Sequence, residues 1–372
     1  MNSLAINSTL NNRLHAFAKA GTLLANYLES KNEVATNSTL NWNERIAEAL
    51  QKAEQSNSWF TEDNLHYCIQ QWSLLLTEDA LRNWLSAYNI QGDKPKNVAV
   101  IAAGNVPLVG LHDILCVLLT GNNVLIKASS NDTVLVKLIM DMAMSHDHSL
   151  ENSIEYVEGK LTGFDAVIAT GSNNTARYFE YYFGKKPNII RKNRNSVAVL
   201  TGNETPEELE ALSDDVFRYF GLGCRSVSHL KVPKDYNFDA FFNGMYKQRD
   251  LINFVKYANN YDYNKAVYLM SRFSLLDNEF LIIKEETSSY SSPIASLGYS
   301  FYEHLDDALV ELKSNTEKLQ CVVAAAPASK KLQEVFQGLP APDVCDFGTT
   351  QLPALSDYAD GVDTVEFLLT LS

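Results

Sequence analysis

The stretch NVAVIAAGNVPLVGLHDILCVLLTGNNVLIK, residues 97–127, decides the fold. Residues 97–102 and 123–127 are short runs rich in apolar and β-branched side chains, the composition of strands. Between them, residues 106–119 carry apolar side chains at helical spacing, and Gly121 ends the run. The strands are continuously apolar rather than alternating. Strand, helix, strand with that pattern means parallel strands covered on both faces. The rhythm continues with a helix over 131–144, strands at 154–157 and 165–169, and a helix over 173–183. A strand at 196–200 closes the series. In open sheets of this kind ligands bind beyond the carboxyl ends of the strands, so the turns there are where chemistry is expected.

Upstream, the first ninety residues read as helical, with apolar residues at helical spacing over 10–28 and 59–88. Downstream, a second lobe begins near residue 201. Thr205-Pro206-Glu207-Glu208 combines an N-cap, a first-turn proline and a reciprocal glutamate. That helix is expected to run to Phe220 and stop at Gly221 and Gly223. Strands follow at 227–232, 280–284 and 321–325, and the last twenty residues read as a strand or a tail.

Four constellations fall in candidate turns. Residues 220–226, FGLGCRS, place Cys224 in a glycine-interrupted loop between a helix and a strand. Glycines let the backbone approach a ligand closely, and a neighbouring Arg225 would favour the nucleophilic thiolate. A packing cysteine is the plain alternative, and it is the reading for Cys68, Cys116, Cys321 and Cys345. Residues 102–107, AAGNVP, follow the first strand. There the Asn105 amide can donate to a developing oxyanion, or can cap a helix before Pro107. Residues 126–132, IKASSND, end the second strand. Lys127, Ser129 and Ser130 suit ribose and phosphate contacts, while Ser130 or Asn131 as an N-cap explains the same residues. Residues 169–174, ATGSNN, open a helix at Gly171-Ser172, whose free N–H groups can receive a pyrophosphate. No G-x-G-x-x-G fingerprint is present.

In this order and spacing, the four constellations resemble the aldehyde dehydrogenase superfamily. Its members carry an Asn-x-Pro turn, a Lys-x-Ser strand end, a Gly-Ser helix start and a catalytic cysteine in the same sequence. Glu285-Glu286 followed by Ser292-Pro293-Ile294 is similar to the superfamily's Glu-x-Phe-Gly-Pro segment at the nicotinamide ribose, with extra residues and no Phe-Gly. Hydrolytic members also carry a Glu-Leu-Gly-Gly segment whose glutamate activates water. The corresponding residues 188–196 read NIIRKNRNS, and no acid lies between Glu180 and Glu204. An acyl-enzyme without that base resists hydrolysis, and can exchange with a thiol or accept a hydride. This stretch, the Cys224 loop and the short chain are similar to the acyl-CoA reductase family of bacterial bioluminescence, LuxC-like. Asp346-Phe347-Gly348 and Asp360-Gly361 resemble that family's tail.

The resemblance implies an α/β, aldehyde dehydrogenase-like fold of two parallel-sheet lobes with an N-terminal helical region. The expected division is a helical region over 1–92 packed on the cofactor lobe and an NAD(P)-binding domain over 93–200. A catalytic domain over 201–345 follows. A segment over 346–372 then returns to the cofactor lobe or to an oligomer interface. The implied reaction is NAD(P)H-dependent reduction of an acyl-CoA to an aldehyde through a thioester on Cys224. The Asn105 side chain and the Cys224 N–H would hold the oxyanion. Lys127, Ser129, Ser130, Gly171, Ser172 and Glu286 would bind the cofactor. Ser130 stands where many NAD-using relatives carry an acid, which makes NADPH the expected cofactor and NADH the alternative. Competing readings are an acyl phosphate reductase or aldehyde dehydrogenase on the same scaffold, and a non-catalytic binding or assembly protein.

Bulk properties agree. The 372 residues are 46% hydrophobic and 20% charged, with a formal net charge of -14. Such an acidic chain is a poor ligand for nucleic acid or anionic membranes. Residues 1–14 lack a basic start followed by an apolar run, so no secretory signal is expected, and no apolar run is long enough to span a membrane. Five dispersed cysteines without a CxxC pair suit a reducing cytoplasm and give no disulfide framework or zinc site. No metal is assigned, because His146 and His148 do not share a helix face. Lys185, Lys186, Arg191, Lys192 and Arg194 form a basic cluster that reads as solvated surface or as a phosphate contact. Family relatives imply a homo-oligomer.

Overall fold

The structure, a computed structural model, describes residues 8–29, 37–90, 94–339 and 342–371. The first seven residues of the expected signal-free start lie outside this range, as does the expected boundary at 92/93. The chain forms two compact units. No described helix is long and apolar enough to cross a membrane.

The first unit, running to Lys192, opens with four helices: α1 (Ser8–Glu29), α2 (Asn37–Ser56), α3 (Glu62–Leu75) and α4 (Glu78–Leu85). The expected helical region over 59–88 is therefore two helices, and Thr77 starts the second by accepting the Ala80 N–H. Next come β1 (Asn97–Ile101), α5 (Leu111–Leu119), β2 (Asn123–Lys127) and α6 (Thr133–Met144). They are followed by β3 (Ile154–Tyr156), β4 (Ala166–Thr170), α7 (Asn173–Phe183) and β5 (Asn188–Arg191). The five strands pair in parallel in the order β3-β2-β1-β4-β5. Val98, Val100, Val124, Ile126, Val167 and Ile168 are all buried, which is why these strands read as continuously apolar. The strand order reverses between β1 and β4, and the crevice beyond that point is where such sheets bind ligands.

The second unit runs from Asn193. It contains β6 (Asn195–Val199), α8 (Pro206–Phe217), β7 (Val227–Pro233), α9 (Phe238–Met245), α10 (Val255–Met270) and β8 (Leu275–Asp277). It continues with β9 (Ile282–Glu285), β10 (Ser296–Tyr302), α11 (Leu305–Lys313), β11 (Leu319–Val323), α12 (Ala328–Phe336) and β12 (Asp343–Cys345). The sheet order is β12-β11-β6-β7-β10-β9-β8, parallel except for β8, which pairs antiparallel at one edge. Residues 196–200 were expected to close the first sheet, but as β6 they lie inside the second, between β11 and β7. The first sheet is closed instead by β5, and the change of unit falls at 192/193 rather than 200. The short strand NIIR alternates in burial and carries only two apolar residues, so its pattern was too weak to read.

Within the last twenty residues, read as a strand or tail, lies a helix, α13 (Thr364–Leu369), capped by the Asp363 carboxylate on the Glu366 N–H. Residues 354–358 and the stretch from Asp363 onward belong to the first unit. They are held there by Trp84 Nε1 donating to the Tyr358 hydroxyl (2.8 Å) and Tyr88 donating to Asp363 (2.6 Å).

Candidate active site

The loop from α8 to β7 starts from a well-defined helix. The Thr205 hydroxyl accepts the Glu208 N–H, and the Glu208 carboxylate accepts the Thr205 N–H. The helix ends at Phe217, three residues before the expected Phe220. Tyr219, Phe220 and Gly221 take left-handed φ values of 54°, 57° and 72°. Left-handed backbone costs a non-glycine residue about 1–2 kcal/mol. Burying a large apolar side chain returns about 1.5–3 kcal/mol. Both rings are buried, and Phe220 stacks on Phe254 with centroids 4.9 Å apart, so packing outweighs the strain.

The turn delivers Cys224 to the surface, the one exposed cysteine of five. Its carbonyl accepts a hydrogen bond from Ser196 Oγ (2.9 Å), and Ser196 Oγ in turn accepts the N–H of Cys321 (3.2 Å). Ser196 is fully buried in β6 and pins the cysteine loop to β6 and β11. Sequence reasoning missed it, since a serine inside a strand carries no motif.

The Arg225 side chain binds residues 343–350. Its guanidinium donates to Asp343 (2.7 Å), to the Thr350 carbonyl and to the Cys345 sulfur (3.9 Å). Burial works against its charge, but the neighbouring Cys321, Asp343 and Cys345 more than compensate, and its pKa rises. Arg225 therefore ties the cysteine loop to residues 343–350. Asp215, fully buried on α8, holds the same segment by accepting the Gly348 N–H (2.6 Å), the Thr350 N–H (2.9 Å) and the Thr350 hydroxyl (2.8 Å). Burial pushes the Asp215 carboxyl up to about 6 despite those donors.

Glu286 follows β9. The Lys284 ammonium (2.6 Å) and the Ser288 hydroxyl and N–H bind its carboxylate and hold its pKa down to about 2. It is a fixed anion that can still accept a hydroxyl. A small, partly open cleft in this unit is lined by Val216, Phe217, Gly221, Val227, Tyr257 and Leu297, with Ser292-Pro293-Ile294 on its wall. Gly221 and Val227 each lie three residues from Cys224.

In the first unit, Asn105 lies in an exposed turn between β1 and α5. It is not a helix cap, because α5 begins only at Leu111 with Gly110 before it. The helix expected over 106–119 is shortened because Leu108 takes φ 56°, which interrupts helical propagation. Lys127 is the last residue of β2, and its ammonium donates to the Gly159 carbonyl. Ser129 Oγ accepts the Asn131 N–H (3.3 Å), and Ser130 is exposed. The N-cap of α6 is Asp132, not Ser130 or Asn131. A Cβ on Gly104 would fall 2.6 Å from Ser129 Cβ, so glycine is what lets the Asn105 turn lie against the Ser129 turn. Beyond β4, Ser172 caps α7 by accepting the Thr175 N–H (3.2 Å), with Gly171 before it.

The structure thus brings Asn105, Lys127, Ser129, Ser130, Gly171 and Ser172 to the carboxyl ends of β1, β2 and β4, and places Cys224 and Glu286 in the second unit. An ammonium, exposed hydroxyls and a helix N-terminus beside the switch point are the donor set a pyrophosphate and ribose need, so these residues fit a nicotinamide dinucleotide. Four of the five residues of the basic cluster have partners. Arg191 is buried against Asp113, Lys192 pairs with Glu180 (2.7 Å), Arg194 pairs with Asp360 (3.1 Å), and Lys186 donates to the Phe164 carbonyl.

The family model described as acyl-CoA reductase (LuxC) matches residues 5–240. The long-chain acyl-protein thioester reductase of Aliivibrio fischeri is 27% identical over 241 residues, covering 57% of this chain and 49% of that protein. The long-chain acyl-protein thioester reductase 2 of Photobacterium leiognathi is 24% identical over 306 residues, covering 74% and 63%. The chain therefore spans about half the length of the first relative. Among solved structures, aldehyde dehydrogenase 21 of Physcomitrella patens superposes with a TM-score of 0.68 at 11% identity, covering 98% of this chain and 87% of that one. An NAD-dependent benzaldehyde dehydrogenase of Corynebacterium glutamicum gives 0.66 at 12% identity, covering 95% and 84%. The fold is aldehyde dehydrogenase-like.

Proposed function

The chain belongs to the acyl-CoA reductase (LuxC) family, and on that premise we propose that it reduces a fatty acyl thioester to the aldehyde through a covalent thioester on Cys224. The observation that carries the reading is the exposed Cys224 on a strained, glycine-ended turn whose backbone is anchored by the buried Ser196. A thiol so presented can attack a thioester carbonyl, while its carbonyl and neighbours stay fixed.

In the proposed reaction the Cys224 sulfur bonds to the acyl carbon, and the carbonyl electrons move to oxygen. The amide of Asn105 and the Cys224 N–H are assigned as donors to that oxyanion. Collapse expels the carrier thiolate, which takes up a proton, and leaves the acyl group on Cys224. Lys127, Ser129, Ser130, Gly171 and Ser172 would hold the phosphates and ribose of a nicotinamide cofactor, and Glu286 would accept a ribose hydroxyl. A reduced nicotinamide bound there would supply hydride to the acyl carbon, and breaking of the carbon–sulfur bond, with Cys224 leaving as thiolate, would release the aldehyde. The stretch that carries the water-activating glutamate in hydrolytic relatives has no acid here, so the acyl group remains available for reduction. Ser130 in place of an acid favours NADPH over NADH.

The acyl carrier is proposed to be coenzyme A. The names of the two relatives, acyl-protein thioester reductases, favour an acylated protein as the second reading. The test is oxidation of NADPH and NADH with long-chain acyl-CoA, acylated protein or acyl phosphate as donor. Acyl-CoA-dependent oxidation that vanishes in Cys224→Ala, with cofactor binding retained, is expected. Undiminished turnover in that variant sinks the mechanism, and exclusive use of another donor replaces the carrier.

A further inference from the structure

Asp132 occupies the N-cap position of α6, yet its side chain makes no capping bond to its own helix. Instead Oδ2 accepts the N–H of Leu108 at 2.7 Å, across the gap between two turns. The residue is 4% exposed, and among the described residues its Oδ1 has no hydrogen-bond partner. Forgoing a helix cap is destabilising, and so is burying an oxygen without a hydrogen-bond donor. Both costs fall at one place, the turn that carries Asn105. That turn contains Leu108 at φ 56°, a conformation uncommon for leucine. Its other end is held by Asn57 Nδ2 on the Gly104 carbonyl (3.1 Å). Asn105 lies between these two anchors.

We propose that Asp132 is a positioning residue for Asn105: its buried carboxyl fixes the 104–108 turn and so aims the Asn105 amide. The inference rests on the reading of Asn105 as an oxyanion donor. Asp132 touches no substrate. It acts through the Leu108 N–H, and its reach to that N–H, rather than to its own helix, is what the turn requires. Burial pushes this carboxyl up to about 8 against the pull of the Leu108 and Val109 backbone donors. An asparagine, whose carboxamide oxygen still accepts the Leu108 N–H, is therefore a close mimic of the protonated side chain.

The test uses the full chain with Asp132→Ser, Asp132→Asn, Asn105→Ala and the Ser/Ala double variant. Serine can cap α6 but cannot reach Leu108. Two readouts apply: steady-state reduction of a long-chain acyl-CoA with NADPH, and amide exchange of the 104–110 segment. Loss of one oxyanion donor lowers kcat by about 100-fold or more, so Asp132→Ser is expected to lower kcat by about tenfold or more. KM should stay within about twofold, the pattern of an interaction made only in the transition state. The double variant should fall no further than Asn105→Ala, Asp132→Asn should keep kcat within about threefold, and exchange at 104–110 should quicken only in the serine variants. Multiplied losses in the double variant, or unchanged exchange in Asp132→Ser, overturn the positioning role. Undiminished kcat in Asn105→Ala overturns the oxyanion assignment itself, and exchange still reports on the anchor if acyl-CoA is not the donor.

Discussion

Replacing Arg191 separates a structural from a cofactor-binding role. The sequence offered Arg191 as part of a basic cluster that could meet a phosphate. In the structure its guanidinium pairs with Asp113 and donates to the Thr364 hydroxyl (2.9 Å), with 6% and 8% of the Arg191 and Asp113 side chains exposed. Arg191→Ala leaves a buried carboxylate unpaired, which costs about 3–5 kcal/mol. Unfolding entropy is about 2.1 cal/mol/K per residue, or about 0.4 kcal/mol/K for a unit of roughly 200 residues, so the melting temperature should fall by about 7–12 °C. The assay is intrinsic fluorescence, because all four tryptophans, Trp42, Trp59, Trp72 and Trp84, lie in the first unit. Pairing Arg191→Met with Asp113→Leu should recover most of the loss, since replacing both partners by apolar groups is often neutral. A melting temperature within about 2 °C of wild type, which corresponds to under about 1 kcal/mol, together with a raised KM for NADPH, would refute the buried-pair reasoning and restore the phosphate contact.

Other outcomes follow from the same geometry. Gly221→Ala forces a Cβ into a φ of 72° with the Val216 carbonyl 3.3 Å away, so a loss of about 1–2 kcal/mol in urea unfolding is expected together with slower turnover. Unchanged stability would mean that the turn relaxes. Asp132 has a folded-state pKa of about 8, above the unfolded carboxyl value of about 3.9. Between those values the folded state holds a proton that the unfolded state has released, so its contribution is full below the lower value and is lost as pH rises through the upper one. Tryptophan-detected stability should therefore slope downward with pH across that window in wild type, and less so in Asp132→Asn. Equal slopes would show that Asp132 titrates normally.

Much was legible because the informative patterns are local. Continuous apolar runs alternating with helical spacing mark the parallel strands β1, β2 and β4, and Thr205 to Glu208 announces the start of α8 through bonds spanning only three residues. Cys224, Asn105, Lys127 and Ser172 could be singled out for the same reason: each sits at the end of a readable element. The strand NIIR was passed over because alternating burial in four residues leaves almost no period to detect. The long strand β10, SLGYSFY, mixes serine, glycine and tyrosine, and its burial comes from neighbours rather than from its own composition.

The sequence by itself determined most element types, the family and the candidate site residues, because propensity, capping and motif order are written in adjacent positions. Tertiary structure alone decided which sheet β6 joins, since an apolar strand pairs equally well with either sheet until its neighbours are in place. It decided that Arg225 faces Asp343 and Thr350, and that Arg191 is buried against Asp113. It also decided that Asp132 leaves its own helix to hold Leu108. A charged side chain's partner is set by what folding brings within about 3 Å of it, across 24 residues for Asp132 and 118 for Arg225, and no local pattern encodes that distance.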